Sequence, residues 1–132
     1  LDFSLPHSEL QLGEGWYALE GAEGRRFRWM GRRAVAYLRG GNGNSRLRVN
    51  GYVLPDRFPG ARPNLDVFAN HAFLGRVPLA GGGLDAVLDL PPAAARSDLV
   101  TIALACDRTF HAPPDVRELS LVIGRVSLEH AG

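Results

Sequence analysis

The run DLVTIALAC, residues 98–106, is apolar on both parities, as expected of a strand covered on both faces at the centre of a sheet. Upstream, residues 84–90 alternate: Leu84, Ala86, Leu88 and Leu90 form a core stripe against Asp85, Val87 and Asp89, and Pro91-Pro92 ends the run. Between the two lie Ala93-Ala94-Ala95-Arg96. Alanine's helix propensity allows one short helical turn there. A plain turn is favoured, because so few residues cannot hold an independent helix. Downstream, residues 118–129 supply a final strand or pair of strands, with Leu119, Leu121 and Ile123 on one parity and Val126 and Leu128 on the other. A bulge or break at Gly124-Arg125 returns both sets to the core without burying Arg125.

The N-terminal half reads the same way. Residues 16–19 and 25–30 predict a hairpin, with Phe27 and Trp29 entering the core and Arg26 and Arg28 leaving it. Residues 33–38 and 45–54 follow, and the intervening Gly40-Gly41-Asn42-Gly43-Asn44 reads as a hairpin connection. That glycine run lacks the GxxxxGK[ST] pattern and a following helix, so a phosphate loop is rejected. In the second of these runs Leu47 and Val49 point inward, and the strand either turns at Asn50-Gly51 or continues past a bulge. Three prolines within residues 55–63 exclude a central strand. Residues 64–69 and 72–77 pair about Asn70-His71, with Gly75 bending the second. Residues 1–14, containing Pro6, form a lead-in or edge strand before one domain over 15–132.

About eight short strands with almost no helical period predict an all-β fold, an antiparallel two-sheet β-sandwich of jelly-roll-like type. A partly open barrel such as an OB fold normally needs fewer strands. At 132 residues and 45% apolar content the chain has the material for a self-standing core.

All fifteen basic residues are arginine against fourteen acidic ones, for a formal charge of +1. This gives no global field for a polyanion, so nucleic acid is not expected as a partner. Cys106 is the only cysteine, which excludes an internal disulfide and reads as a small buried thiol. Neither a signal peptide nor an apolar membrane span is evident, so membrane insertion is not expected. A start at Leu1 suits an excised domain or processed product. The compartment stays open, with the cytoplasm favoured.

The candidate ligand-binding residues fall in two groups. Trp16, Tyr17, Glu20 and Arg28 combine aromatic faces for the apolar sides of a sugar ring with planar polar groups for its hydroxyls. Their structural alternative is core tryptophan packing with an Arg–Glu pair across the hairpin. Phe68 and Asn70, sharing a face with Asp66, and His71 at the bend form the second group. No metal is expected: Cys106, Asp107 and His111 fall short of a zinc set, and His7, His71, His111 and His130 show no ligand spacing. No cofactor is implied. Glu20, Asp66 and Asp107 are conceivable members of a glycosidase pair, but spacing opposes none of them to another. Ser120 or Ser127 with His111 lacks the nucleophile-elbow pattern.

The phrases GWYALEGAEGRRFRWMGRRAVAYL, LRVNGYVLP, LDVFANHAFLGRVPL, LVTIALACDRTFHAPPD and VRELSLVIGRVSL occur in that order over residues 15–128. Together they resemble an uncharacterised β-sandwich module found beside bacterial glycosyltransferases and related surface-polysaccharide proteins. The resemblance places recurrent positions at Trp16, Glu20, Arg28, Trp29, Asn70, Phe110, Pro113 and Arg117. Here Val49-Asn50-Gly51 comes early and Asn70 later, which leaves the recurrent asparagine open. No catalytic residues accompany the family. The leading expectation is therefore a noncatalytic carbohydrate-associated module that binds or positions a bacterial oligosaccharide or polysaccharide. The alternatives are a structural or docking domain for a parent catalytic domain, and a small carbohydrate-active enzyme.

Overall fold

The computed structural model describes residues 1–3, 11–41, 43–58 and 62–130. Among the described residues, nine strands run in the order β1 (Trp16–Glu20), β2 (Phe27–Met30), β3 (Arg33–Arg39), β4 (Arg46–Val53), β5 (Asn64–Ala69), β6 (Ala72–Pro78), β7 (Gly82–Asp89), β8 (Leu99–Cys106) and β9 (Val122–Glu129). A five-stranded sheet has the order β1-β2-β9-β4-β7 and a four-stranded sheet the order β3-β8-β5-β6, all neighbours antiparallel. The expected all-β sandwich is the architecture observed. Its pairing is nested: β5 with β6, β4 with β7, β3 with β8 and β2 with β9.

The core lies between the sheets. One side presents Met30, Leu47, Val49, Val53, Ile123 and Val126, and the other presents Ala34, Leu38, Leu65, Val67, Ile102 and Leu104, each at most 3% exposed. The apolar run at residues 98–106 is central as expected, with β8 flanked by β3 and β5. The phase slip is a bulge: Asn50 pairs with Arg125 and Gly51 with Ile123, so Gly124 is the extra residue. Ile123 and Val126 thereby both reach zero exposure while Arg125 stays outside.

Three readings of the sequence are corrected. First, residues 40–44 do not close a hairpin, because β3 and β4 belong to different sheets. All seven β3 residues pair with β8, from Arg33 with Ala105 to Arg39 with Leu99. Gly40 then donates its N–H to Asp98 O, and an added Cβ there would collide with the Ser97 carbonyl. The chain leaves this sheet at a position only glycine fills.

Second, residues 92–96 form a one-turn helix, α1 (Pro92–Arg96), instead of a plain turn. Proline in its first turn costs no hydrogen bond, and buried Ala94 ties it to the core. Third, the parity of β2 is inverted. Arg28 pairs with Ile123 and Trp29 with Val122. Since directly opposite residues share a face, Arg28 lies on the core side with Ile123 and Met30, and Phe27 and Trp29 lie outside.

The lead-in is bound to both sheets. Asp2 bridges to Arg125 and Phe3 is fully buried, while Leu12 bridges to Ala36 and Val35 N donates to Glu14 O at 2.9 Å. Residues 12–14 thus cover the free edge of β3. Pro6 and His7 lie outside the described residues. Among the described residues no helix is long and apolar enough to cross a membrane.

Candidate functional site

The first candidate group is split by the fold. Trp16 packs edge-on against Phe3, centroids 5.3 Å apart, and its indole N–H donates to Val35 O at 2.8 Å in the facing sheet. Arg28 stacks its guanidinium 5.5 Å from the same Phe3 ring and donates from Nη1 to Tyr17 O at 2.9 Å. Its Nε is buried without a hydrogen-bond partner, a cost partly offset by the cation–π contact. Both side chains therefore serve the core margin.

Tyr17 and Glu20 sit elsewhere, around Arg117. The Tyr17 hydroxyl donates to Glu118 O at 2.9 Å, and Arg117 lies 5.1 Å over its ring. Arg117 Nη2 grips Asp115 Oδ2 at 2.6 Å and Nη1 reaches Glu20 Oε2 at 3.5 Å. These hydrogen bonds from Arg117 hold the Asp115 carboxyl below the usual carboxylate range. The Glu20 partner is thus Arg117, not Arg28 across the hairpin. Trp29, expected inside, stacks on Phe110 at 5.8 Å on the outer side of its sheet.

The second group lies on the outer face of the four-stranded sheet, whose register builds three rows. Arg33, Ala105, Asp66 and Arg76 form one, Val35, Ala103, Phe68 and Phe73 the next, and Tyr37 and Thr101 the third. In these rows β8 offers the small side chains Thr101, Ala103 and Ala105, and larger ones rise on both flanks. The result is a cleft of about 260 Å³ lined by Arg33, Phe68, His71, Thr101 and Ala103. Phe73 stacks edge-on against Phe68 at 5.6 Å yet remains 58% exposed, and Tyr37 is 39% exposed.

Polar groups frame this face. Arg76 grips Asp66 through two hydrogen bonds of 2.8 and 3.1 Å, and the Asp66 carboxyl is held low by them. Arg33 pairs with Glu14 at 2.8 Å, both side chains being half exposed or more. Asn70 and His71 form the two-residue turn between β5 and β6, with φ of 47° and 71°, the positive pair that a tight hairpin of this type requires. Asn70 is consumed structurally. Its Oδ1 accepts Thr101 N–H at 2.8 Å and its Nδ2 donates to Ser97 Oγ at 3.3 Å, clamping β8. His71 stays exposed on the cleft wall.

Phe68, His71 and Asp66 thus share one face, whereas Asn70 supports it from behind. Tyr37, Phe73, Thr101 and Arg33 complete it without having been singled out from the sequence. A signal existed for Tyr37 and Arg33: the inward set Ala34, Ala36 and Leu38 forces both outward. Phe73 depends on the bulge that sets it opposite Phe68 after Val67 opposes Gly75, and only the structure supplies that register.

The conceivable catalytic groups are occupied or scattered. Asp107 accepts Asn64 N–H at 2.7 Å and the Asn64 amide at 3.1 Å, which hold its carboxyl low. Asp66 is tied to Arg76 and Glu20 to Arg117. Burial pushes the Cys106 thiol upward, the opposite of what a nucleophile requires. Among the described residues no group of His, Cys, Asp or Glu is arranged to hold a metal ion. The class defined at this point is an all-β sandwich with an aromatic outer face. No protein-family model and no curated protein matches the chain.

Proposed function

We propose that the protein is a noncatalytic carbohydrate-associated module that binds a bacterial glycan on the outer face of its four-stranded sheet and positions it for a partner enzyme such as a glycosyltransferase. The observation that carries this reading is the trough over Thr101 and Ala103 flanked by Tyr37, Phe68, Phe73 and His71, with Arg33 and the Asp66–Arg76 pair at one end. Exposed rings supply stacking surfaces for the apolar faces of pyranoses, and planar charged groups supply directed hydrogen bonds to hydroxyls. An open face suits a long saccharide that lies across it. The nested pairing of β2 to β9 supports the jelly-roll-like path as well.

The test is a glycan-array profile of the purified protein, followed by calorimetric titration of any hit. Saturable binding that Phe73→Ala weakens about tenfold, equivalent to roughly 1.4 kcal/mol, with the melting curve unchanged, is the expected result. A blank array from a folded sample overturns this reading in favour of a docking role.

A further inference from the structure

A second concavity lies on the opposite side of the sandwich, where the Gly124 bulge opens the outer face of the five-stranded sheet. It is an open concavity of about 430 Å³. Arg25 and Arg26 reach it from the end of the β1–β2 hairpin and Arg125 from the bulge itself, and among the described residues Asp2 is the carboxylate in its lining. Phe27 and Val122 give it an apolar side.

Two of the cleft's arginines stand outside the ion pairs of the described residues, and here they line one concavity. Arg32, Arg33, Arg46, Arg48, Arg76 and Arg117 are each ion-paired. Among the described residues, neither Arg25 nor Arg125 has a carboxylate within 4.0 Å. The neighbouring carboxylate of Asp85 is already taken by Arg48 at 3.1 Å and by the Asn50 amide at 3.0 Å. The bulge also keeps the cleft open. A Cβ built on Gly24 or on Gly124 meets no atom within 4 Å. Convergent guanidinium groups beside an apolar wall bind a carboxylate or phosphate carried on a small organic body.

We infer that the Gly124 cleft is an anion site, taking the carboxylate or phosphate group of a small ligand such as an acidic saccharide, on the face opposite the proposed glycan surface. The inference is independent of that surface. It is tested by amide NMR titration at constant low ionic strength with three probes: glucuronate, inorganic phosphate and neutral glucose. Saturable shifts at the Gly24, Arg25, Gly124 and Arg125 amides with either anion, and none with glucose, are expected. A response to glucuronate alone assigns a sugar carboxylate, and a response to phosphate alone assigns a phosphate group.

The double variant R25Q/R125Q, at two exposed side chains, is expected to weaken the anion at least tenfold. Gly124→Leu fills the cleft at unchanged charge and is expected to do the same. Phe73→Ala is expected to leave anion binding intact, so failure here and failure of the glycan reading are separable. No saturable response to either anion, an equal response to glucose, or full retention in R25Q/R125Q overturns the inference.

Discussion

Two aromatic clusters lie on this sandwich, and they differ in what holds their side chains. In the hairpin cluster the polar handles are spent inside the protein: the Trp16 indole on Val35 O, the Tyr17 hydroxyl on Glu118 O, Arg28 on Tyr17 O and Arg117 on Asp115 and Glu20. On the four-stranded face Phe73 and Tyr37 stand substantially exposed, and His71 projects from a turn. A ring whose polar neighbours are all bonded to the fold is a structural element. One left in water beside half-exposed ion pairs has contact area to offer a ligand. Both regions carry aromatic rings, so the distinction lies in the bonding.

The largest expected break in this contrast is Trp16→Ala. It removes an indole wedged against Phe3 together with its bond across the sheets, and is expected to cost about 3 kcal/mol of stability, the low end for such truncations because the ring is half-buried. Urea unfolding measures the cost, and glycan affinity per folded molecule is expected to stay unchanged. A small stability loss accompanied by lost binding would move the ligand to the hairpin. Asn70→Ala comes next, at about 2 kcal/mol, since Thr101 N–H loses its acceptor and alanine is strained at positive φ. Asn70→Gly relieves the strain and not the lost clamp, so it is expected to recover about 1 kcal/mol of that. Phe73→Ala is expected to change stability by less than about 0.5 kcal/mol, the range of exposed positions. Its effect falls on binding.

How far the sequence reveals these differences depends on range. The strand at residues 98–106 and the bulge at Gly124 are legible because each is written in local parity: a doubly apolar run, and two apolar sets out of phase. The β5–β6 turn is legible from Asn70-His71, where short polar side chains tolerate positive φ. Parity fails at β2, a four-residue strand with apolar residues on both sides. There the tie is broken by Ile123, nearly a hundred residues away in sequence, and by Phe3, whose ring receives the Arg28 guanidinium. The same non-locality hides the partner of β3. A glycine-rich run after an alternating strand suits either a hairpin or a crossing, and long-range pairing with β8 decides it. The candidate face is therefore half legible: Phe68 and His71 announce themselves, whereas Tyr37, Phe73 and Thr101 become neighbours only once the register is set.

The smallest expected effect separates the two regions by charge. Asp66 on the open face and Asp115 in the hairpin cluster are both held below the ordinary carboxylate range, each chiefly by a side-chain hydrogen bond from its arginine, Arg76 or Arg117. A carboxyl whose folded pKa lies below its unfolded value, about 3.9 for aspartate, contributes stability that is present above the unfolded value. That contribution is lost as pH falls through the folded one. Unfolding midpoints are therefore expected to decline below about pH 4, and Asp66→Asn and Asp115→Asn are each expected to flatten part of that decline. Only Asp66→Asn is expected to alter glycan affinity, because it releases Arg76 at the end of the trough, whereas Asp115→Asn disturbs only the stack of Arg117 on Tyr17. Calorimetric titration of both variants at neutral pH reads this directly. Equal effects of the two on affinity would erase the distinction between a region that holds the fold together and one that faces a ligand.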